Sequence, residues 1–253
     1  MSPAEGPLVE VEIRGAVALV RLNRPRVLNA LDLALTVELS NLIDRLATEA
    51  DLKVAVTCGA GQAYCVGNDL KETATIAPAE AEALATAQEG LMDRWAALPL
   101  ITMAIVHGFA LGGGLLLAAF HDLRVAAEGT QFGLPEITLG LPPAFGIHRL
   151  IRLLGEARAR EIILTGVQFD AGEARRMGLV NRVVATDVLL DEGLAWATEL
   201  SRLPEGAIKA TKRLLGHIVG PHQGGEPQAF GACLGDEEAR TRIRSFLKAR
   251  ERP

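Results

Sequence analysis

Residues 107–116 read His-Gly-Phe-Ala-Leu-Gly-Gly-Gly-Leu-Leu, with three consecutive glycines between two apolar runs. The run before the glycines predicts a strand, and the run after them predicts a helix that begins at Gly113. Glycine lets a backbone N–H come close to a ligand, and the start of a helix adds partial positive charge. The stretch therefore predicts a site for an anionic oxygen. Leu116 lies one turn further on the same helix face, so an apolar side chain stands where acid–base chemistry would be expected.

Composition and charge set the broad class of the protein. Of its 253 residues, 49% are hydrophobic and 23% are charged, which is usual for a globular protein. The formal net charge of −5 argues against a nucleic-acid partner. Cys58, Cys65 and Cys233 form no metal-type pattern, so we expect free thiols, a cytoplasmic location and no metal site.

One apolar stretch has the length of a membrane span. Residues 99–120 carry no charged side chain. Pro99, His107 and four glycines interrupt this run, so we expect a buried strand, a turn and a buried helix instead. Residues 1–6 also lack the basic and apolar pattern of a secretory signal.

The spacing of apolar residues predicts a series of strands and helices. The predicted strands span residues 8–13, 17–22, 53–57, 101–106, 123–126 and 180–184. The predicted helices span residues 32–49, 78–95, 113–120, 147–154, 157–164, 171–177, 189–202, 205–218 and 229–252. The predicted loops span residues 59–67, 131–143 and 221–227. Because strands and helices recur in turn, we expect stacked α/β turns covered by helices.

A second candidate binding segment is residues 63–71, Ala-Tyr-Cys-Val-Gly-Asn-Asp-Leu-Lys. A strand ends before it, the chain turns at Gly67, and a helix is expected from Asp69 onward. The N–H of Asn68 would then point outward at the junction. The alternative is an ordinary loop between a strand and a helix, in which Asp69 only caps the helix.

Glu136 is a lone carboxylate in the apolar loop Gln-Phe-Gly-Leu-Pro-Glu-Ile-Thr-Leu-Gly of residues 131–140. Burial would raise its pKa and make it a base near neutral pH. The alternative is a solvated glutamate or one that caps a turn. Trp95 and Phe109 are expected in the core, and His107, His121 and His148 are expected to have structural roles.

Several basic residues are suited to phosphate groups, although scattered surface charges would look the same. These residues are Arg24, Arg26, Lys71, Lys248, Arg250 and Arg252.

Taken together, the motifs resemble the crotonase superfamily, also called the enoyl-CoA hydratase/isomerase family, from Val17 to Pro253. The matching motifs, in order, are Leu22-Asn23-Arg24-Pro25 with Leu28-Asn29-Ala30-Leu31, Gly67-Asn68-Asp69-Leu70-Lys71, Gly108-Phe109-Ala110-Leu111-Gly112-Gly113-Gly114, Phe132-Gly133-Leu134-Pro135-Glu136, Leu164-Thr165-Gly166 with Ala174-Arg175-Arg176-Met177-Gly178-Leu179-Val180, and Phe246-Leu247-Lys248. One such motif would be weak evidence, but six in the right order are specific.

The resemblance implies an α/β fold with a crotonase-like ββα spiral core over residues 8–200. It implies a C-terminal helical trimerisation region over residues 201–253, with homotrimers that often pair into hexamers. The implied ligand is an acyl-CoA thioester, with no cofactor apart from the coenzyme A of the substrate. Neither a membrane nor a nucleic acid is an expected partner.

The resemblance also assigns roles to residues. The N–H groups of Asn68 and Gly113 would hold the enolate oxygen, and one such donor contributes about 3 kcal/mol. The implied residues for binding the substrate and its coenzyme A are Arg24, Arg26, Val27, Leu28, Ala63, Cys65, Asn68, Asp69, Leu70, Lys71, Gly112, Gly113 and Leu116. Which of Lys248 and Arg250 reaches the coenzyme A phosphates stays open.

One departure from the family pattern decides the expected mechanism. Hydratases of the family use two glutamates; the second matches Glu136, but the first matches Leu116, which cannot carry a proton. Loss of an acid–base group lowers a rate by roughly two to four decades. Because one carboxylate is enough for a 1,3-proton shift, we expect a single-glutamate enoyl-CoA isomerase.

Other readings stay open at the level of sequence. The Pro142-Pro143-Ala144-Phe145-Gly146 turn is less glycine-rich than usual in the family, which would reshape the acyl pocket. Ala144 stands where dienoyl-CoA isomerases have an aspartate, so that reaction is disfavoured. A trimer that binds acyl-CoA without turnover, and a thioester hydrolase or decarboxylase on the same scaffold, are the alternatives.

Overall fold

Short strands and helices alternate along the chain in the computed structural model, which describes residues 6–218, 226–235 and 237–250. The strands are β1 (Val9–Arg14), β2 (Val17–Leu22), β3 (Val54–Gly59), β4 (Ile101–Val106), β5 (Phe109–Leu111), β6 (Leu123–Ala127), β7 (Gln131–Gly133), β8 (Gln168–Asp170) and β9 (Arg182–Val184). The helices are α1 (Leu33–Thr48), α2 (Leu70–Thr73), α3 (Pro78–Ala96), α4 (Gly113–Ala119), α5 (Ile147–Leu154), α6 (Glu156–Thr165), α7 (Ala171–Arg176), α8 (Leu189–Leu200), α9 (Glu205–Ile218), α10 (Glu226–Gly235) and α11 (Glu237–Arg250).

The larger sheet has six strands in the order β1-β2-β3-β4-β6-β9. β1 and β2 form an antiparallel hairpin, and the later pairs are parallel. Val17 aligns with Val54, which in turn aligns with Ile101. The inner strands are almost entirely buried, which explains their nearly continuous apolar sequences. Each of the six predicted strands corresponds to one strand of this sheet.

A smaller sheet has three strands of three residues each, in the order β5-β7-β8. β5 and β7 run parallel, and β7 pairs antiparallel with β8. The sequence-based prediction was wrong here, because it placed residues 131–143 in a loop and predicted none of these three strands. Three residues show no periodicity, and their pairing depends on distant segments. This sheet places the start of α4 beside the 310 turn Pro135–Leu139.

Helices cover both faces of the larger sheet. Alternate residues of β2 belong to two cores: Val20 packs in the core that contains α1, α3 and α4, and Leu19 in the core that contains α8. The side chain of Asp32 caps α1 by accepting a bond from the N–H of Leu35 at 2.8 Å. Burial of each leucine of this face contributes about 2 kcal/mol, so packing holds α1 more than its cap does.

The C-terminal region differs from its prediction. The single helix expected over residues 229–252 is two helices, α10 and α11, and the helix expected from Asp69 onward has only four residues. Residues 219–225, within the predicted 221–227 loop, lie outside the described residues. α10 packs closely on α3, since a Cβ on Gly231 would lie 2.8 Å from the carbonyl oxygen of Pro78. The domain boundary at residues 200/201 stays a prediction.

Candidate active site

A cavity of about 510 Å³ lies where the small sheet, the segment after β3 and the C-terminal helices meet. Most of its wall is made of apolar side chains. The wall also includes two carboxylates and backbone atoms of two glycines. Such a concave, mainly apolar site with few polar groups is typical of a binding pocket for an organic ligand.

The backbone N–H of Asn68 faces this cavity because of how its neighbours pair. Leu31 forms an isolated parallel bridge with Asn68. The N–H of Leu31 donates to the carbonyl of Gly67 at 2.8 Å, and the N–H of Asp69 donates to the carbonyl of Leu31 at 2.9 Å. Since N–H groups alternate sides along an extended segment, the N–H of Asn68 points away from Leu31. Among the described residues it has no acceptor.

A second N–H comes from Gly113, the first residue of α4. The first N–H groups of a helix have no partner within it. With φ at +86°, a Cβ on Gly67 would lie only 2.8 Å from the nitrogen of Gly113, so glycine at 67 lets the two segments come this close. Asn68 and Gly113 therefore both lie on the wall of this cavity, and a converging pair of N–H donors there would suit one anionic oxygen.

Glu136 completes the site from the 310 turn Pro135–Leu139. Burial raises the pKa of its carboxyl to about 7, while a bond from its own backbone N–H lowers it slightly. Its buried Oε2 has no hydrogen-bond partner among the described residues. Gly112, with φ at +54°, lies beside this carboxylate, since a Cβ there would be 2.8 Å from Oε1 of Glu136. The sequence-based expectation of a raised pKa is confirmed.

Leu116 is fully buried one turn after Gly112, to whose carbonyl its N–H donates at 3.1 Å. Its side chain packs in the core, with Cδ2 3.3 Å from where a Cβ on Gly146 would lie. An apolar side chain therefore occupies this position of α4. Across the described residues of the cavity wall, the carboxylates are those of Glu136 and Asp69.

Comparison with known proteins identifies the family. The sequence pattern described as "Enoyl-CoA hydratase/isomerase" matches residues 12–226. The chain belongs to the enoyl-CoA hydratase/isomerase family. It is similar to the probable enoyl-CoA hydratase echA8 of Mycobacterium bovis, with 40% identity over 81% of this chain and 79% of that protein. It is also similar to the 2,3-dehydroadipyl-CoA hydratase of Escherichia coli, with 37% identity over 92% and 93% of the two chains.

The fold agrees with that assignment. A crystal structure of an enoyl-CoA hydratase from Bacillus anthracis superimposes with a TM-score of 0.82 and 30% identity, over 96% of this chain and 97% of that one. The crotonase-type α/β fold predicted from the motifs is thereby confirmed, and the chain is an acyl-CoA enzyme of the enoyl-CoA hydratase/isomerase family.

Most residues that the resemblance assigns to substrate binding in this enoyl-CoA hydratase/isomerase family member do lie at the cavity. Those on its wall are Arg26, Val27, Leu28, Asn68, Asp69, Leu70, Lys71, Gly112 and Gly113. Arg26 and Lys71 are exposed, which leaves them accessible to phosphates at the mouth. Asp69 also caps α2 by accepting a hydrogen bond from the N–H of Lys71 at 3.0 Å. This capping role was the alternative interpretation of residues 63–71.

Four assigned residues lie behind the wall rather than on it. Arg24 bonds to the carbonyl of Ala30 and pairs with Asp32 and Asp69, so it fixes the loop before α1. The others are Ala63, Cys65 and Leu116, all fully buried. The structure gives these four residues supporting positions, and direct contact with a ligand stays a prediction for them.

Asn29 holds the same loop and was not among the assigned residues. Leu28 and Asn29 both have positive φ values, which are uncommon for non-glycine residues. The buried side chain of Asn29 offsets this cost, because Nδ2 donates to the carbonyls of Ala60 at 2.9 Å and Ala63 at 2.8 Å. Its place in the Leu-Asn-Ala-Leu motif was the available signal.

Several wall residues were not assigned to the site, some next to assigned residues in the same motifs and others in distant segments. Phe109 was expected in the core, but it is 39% exposed and lines the cavity, whereas Trp95 is buried as expected. The other missed residues are Ala30, Val66, Thr73, Leu111, Pro135, Thr138, Leu139, Leu141, Ala144, Phe145, Gln168, Phe230, Phe246 and Leu247. The sequence had pointed to the 142–146 turn as part of the acyl pocket, to residues 63–71 as a binding segment, and to Phe246-Leu247-Lys248 as a matched motif. Lys248 is exposed and not on the wall, and the side chain of Arg250 lies outside the described residues.

The remaining reactive groups have structural surroundings. His121 is buried, bonds Thr57 Oγ1 at 2.9 Å and the carbonyl of Leu117 at 2.8 Å, and burial lowers its pKa to about 3. The three cysteines are free. Within the described residues, no group of three His, Cys, Asp or Glu side chains is placed to hold a metal, and none of the helices there has the length and apolar character to cross a membrane.

Proposed function

We propose that this enzyme is a single-glutamate enoyl-CoA isomerase that converts a 3-enoyl-CoA into the conjugated 2-enoyl-CoA. The carboxylate of Glu136 removes a proton from C2, and the electrons move into the thioester carbonyl to give a dienolate. The N–H groups of Asn68 and Gly113 hold the dienolate oxygen. Glu136 then returns the proton to C4, which leaves the double bond between C2 and C3.

The observation that carries this proposal is the single available carboxylate of the cavity. Asp69 is occupied by the guanidinium of Arg24 at 3.1 Å and by its capping bond. Glu136 has no ion-pair partner among the described residues and has a pKa of about 7, so near neutral pH it is present in both the accepting and the donating form. The proton shift uses the carboxylate and the carboxylic acid form of the same group in turn. The buried, apolar Leu116 leaves no second acid on α4.

The rest of the cavity is consistent with an acyl-CoA thioester. The exposed cations of Arg26 and Lys71 suit the phosphates of coenzyme A. Beyond Glu136 the wall is apolar, with Leu141, Ala144 and Phe145. An apolar and water-poor pocket strengthens both the base and the two N–H donors.

Hydration of a 2-enoyl-CoA is the second candidate, because the relatives described above carry the name hydratase. That reaction would have to use Glu136 alone for both water activation and protonation. Loss of the second acid–base group is expected to slow it by about 10²–10⁴-fold relative to a two-glutamate enzyme.

A substrate panel separates the candidates. The purified enzyme is given 3-hexenoyl-CoA, 2-hexenoyl-CoA and saturated hexanoyl-CoA, and the products of isomerisation, hydration and thioester hydrolysis are quantified. The proposal expects isomerisation to be the fastest reaction. Faster hydration would favour the second candidate, hydrolysis would favour a thioesterase, and binding without deuterium exchange at C2 would indicate a binding protein.

Two substitutions test the roles of the residues. Glu136→Gln keeps the side-chain size and is expected to lower isomerase kcat by about 10²–10⁴-fold, because the base is removed while the two N–H donors remain. Leu116→Glu is expected to raise the ratio of hydration to isomerisation, provided that thermal melting shows a folded protein. Equal turnover by wild type and Glu136→Gln would disprove the assignment of the base.

Assembly and location complete the proposed function. We infer a homotrimer or hexamer in the cytoplasm, with residues 201–253 contributing to the interface. Light scattering of the full chain tests the assembly, and a monomer would contradict it.

A further inference from the structure

One guanidinium joins the loop before α1 to the segment that carries Asn68. Nη2 of Arg24 lies 2.8 Å from Oδ2 of Asp32 and 3.1 Å from Oδ2 of Asp69. Nη1 of the same side chain bonds the carbonyl of Ala30. The three charged side chains are 16%, 19% and 12% exposed, so solvent screens their contacts only partly. Pairs of this kind constrain geometry more than fully exposed pairs do.

Asp69 follows Asn68 in the chain, and each of its polar groups is engaged. Its N–H donates to the carbonyl of Leu31 at 2.9 Å. Its own carbonyl accepts bonds from the N–H and Oγ1 of Thr73, both at 2.9 Å. Oδ1 caps α2, and Oδ2 accepts the bond from Arg24. The direction of the N–H of Asn68 therefore depends on where Asp69 is held.

The position of Arg24 is itself fixed by its backbone. Its N–H donates to Oδ1 of Asn29 at 2.9 Å, and its carbonyl accepts a bond from the N–H of Asn29 at 2.9 Å. Asn29 is fully buried. The guanidinium therefore extends from a rigid point of the loop, which is what a residue needs in order to hold a neighbouring segment in place.

Without this guanidinium, three carboxylates would lie close together. Besides Asp32 and Asp69, the group includes Glu72, whose carboxylate accepts a bond from the N–H of Leu33 at 3.2 Å. Burial raises the pKa of Glu72, and the charges of the two aspartates add to that rise, while Arg24 opposes it. Like charges repel, so loss of the cation would push α2 and the segment before it away from the start of α1.

We propose that Arg24 is a positioning residue, which sets the direction of the N–H of Asn68 through its ion pair with Asp69. It acts from behind the cavity wall, of which it is not a part, and does not bind the phosphates of coenzyme A. This role differs from the one that the family resemblance implies for it. The inference rests on the proposed use of the Asn68 N–H as a donor to the thioester oxygen, and not on where a proton then moves.

The carbonyl signal of a bound thioester tests this role without turnover. Hexanoyl-CoA with ¹³C in the thioester carbonyl cannot isomerise, and N–H donors that polarise the carbonyl move its ¹³C resonance downfield on binding. We expect this shift in wild type and a smaller one in Arg24→Met and Asp69→Asn, with dissociation constants changed by less than about threefold. Asp69→Asn keeps the side-chain size and the cap of α2, so it is expected to fold even where Arg24→Met does not.

A double-mutant cycle on isomerase kcat gives a second measurement. Each single substitution is expected to lower kcat by about 10- to 100-fold with little change in KM, because a small displacement of a catalytic group has this effect. The double variant should be no slower than the slower single variant, since both changes remove the same ion pair. Additive losses would contradict the proposal.

Lys212→Met is the matched control. Lys212 pairs with Asp122 at 2.7 Å in a partly buried place on α9, and none of the described residues of α9 lies on the cavity wall. This variant is expected to lose stability but to keep both the carbonyl shift and kcat. If it lost the carbonyl shift and kcat as the Arg24 and Asp69 variants do, their effects would be those of general destabilisation, and the inference would be overturned.

The remaining outcomes separate this inference from the isomerase proposal. Weaker binding by Arg24→Met alone, with an unchanged carbonyl shift, would show that Arg24 binds coenzyme A and would overturn the inference. A shift that is present in wild type and reduced in both variants, in an enzyme that does not isomerise 3-hexenoyl-CoA, would overturn the isomerase proposal and leave the inference standing. Absence of the shift in wild type would overturn the use of Asn68 as a donor, and the inference with it.

Discussion

At the scale of single residues, Leu116 and Glu136 have to be considered together. A second carboxylate beside Glu136 would raise its pKa by repulsion between like charges, as in other paired carboxylates. Leucine at 116 removes that contribution, and desolvation is left as the main cause of the raised pKa. Leucine at 116 thus takes away one of the two acid–base groups that a hydratase uses. It leaves the carboxyl of Glu136, whose pKa is set by its surroundings alone.

This environment predicts a pH profile. Because the base must be ionised in the free enzyme, kcat/KM for isomerisation is expected to rise with pH and to reach half its maximum near pH 7. Below that point it should fall by about tenfold per pH unit. Initial rates between pH 5 and 9 measure the profile. A flat profile from pH 5.5 to 8 would mean that the base has the ordinary pKa of a solvated carboxylate. The buried Glu136 would then not be the base.

At the scale of elements, the turn between β5 and α4 positions the chemistry. Gly112 has φ at +54°, and a Cβ there would lie 2.8 Å from Oε1 of Glu136. Gly112→Ala is therefore expected to displace the carboxylate and to lower kcat by about 10²-fold, as small displacements of a reacting group do. It also costs about 1 kcal/mol of folding free energy through backbone strain. Kinetics and urea unfolding measure the two effects.

Gly129 provides the matched control for this turn. Its φ is +80°, and a Cβ there would meet no heavy atom within 4 Å. Gly129→Ala should also lose folding free energy through its positive φ, and it should keep full activity because the added methyl group contacts no other heavy atom. If both variants lost activity in proportion to their stability, the contact between residue 112 and Glu136 would have no part in catalysis.

The same elements show where sequence reasoning succeeds. Five of the six strands of the larger sheet have five or six residues with alternating or continuous apolar side chains, so local sequence was enough to predict them, whereas β9 has only three residues and was predicted as residues 180–184. The strands β5, β7 and β8 have three residues each, and only their partners make them strands. The division of the tail into α10 and α11 was likewise not predicted, since the helical spacing of the sequence continues from one helix to the other.

At the scale of the whole molecule, the candidate site was predictable where it depends on local motifs. Asn68, Gly113 and Glu136 come from motifs whose backbone geometry is largely local. Phe230 and Phe246 reach the cavity only because α10 and α11 pack against the core, which the matched motif Phe246-Leu247-Lys248 does not by itself specify. The part of the wall that the tail supplies is thus set by tertiary packing, and the part that carries Asn68, Gly113 and Glu136 by short motifs.

Two buried ionisable groups affect the stability of the whole molecule in opposite directions. The folded pKa of Glu136, about 7, lies above the ordinary value of 4.5, so its contribution to stability is present at low pH and is lost as pH rises through 7. The folded pKa of His121, about 3, lies below the ordinary value of 6.5, so stability is lost as pH falls from 6.5. Between pH 4.5 and 6.5, stability falls with rising pH because of Glu136 and rises because of His121. These two pH dependences largely cancel in the wild type.

Glu136→Gln removes one side of this balance and therefore changes the pH dependence of folding. Relative to wild type, its free energy of unfolding is expected to increase by about 3 kcal/mol between pH 4.5 and pH 8, because 2.5 pKa units correspond to this energy. Urea unfolding at several pH values measures the difference. The exposed Glu128 gives a control, since Glu128→Gln should follow wild type within about 0.5 kcal/mol throughout. Parallel curves for wild type and Glu136→Gln would mean that the carboxyl of Glu136 has the same pKa in the folded and unfolded protein, which would contradict its role as a buried base.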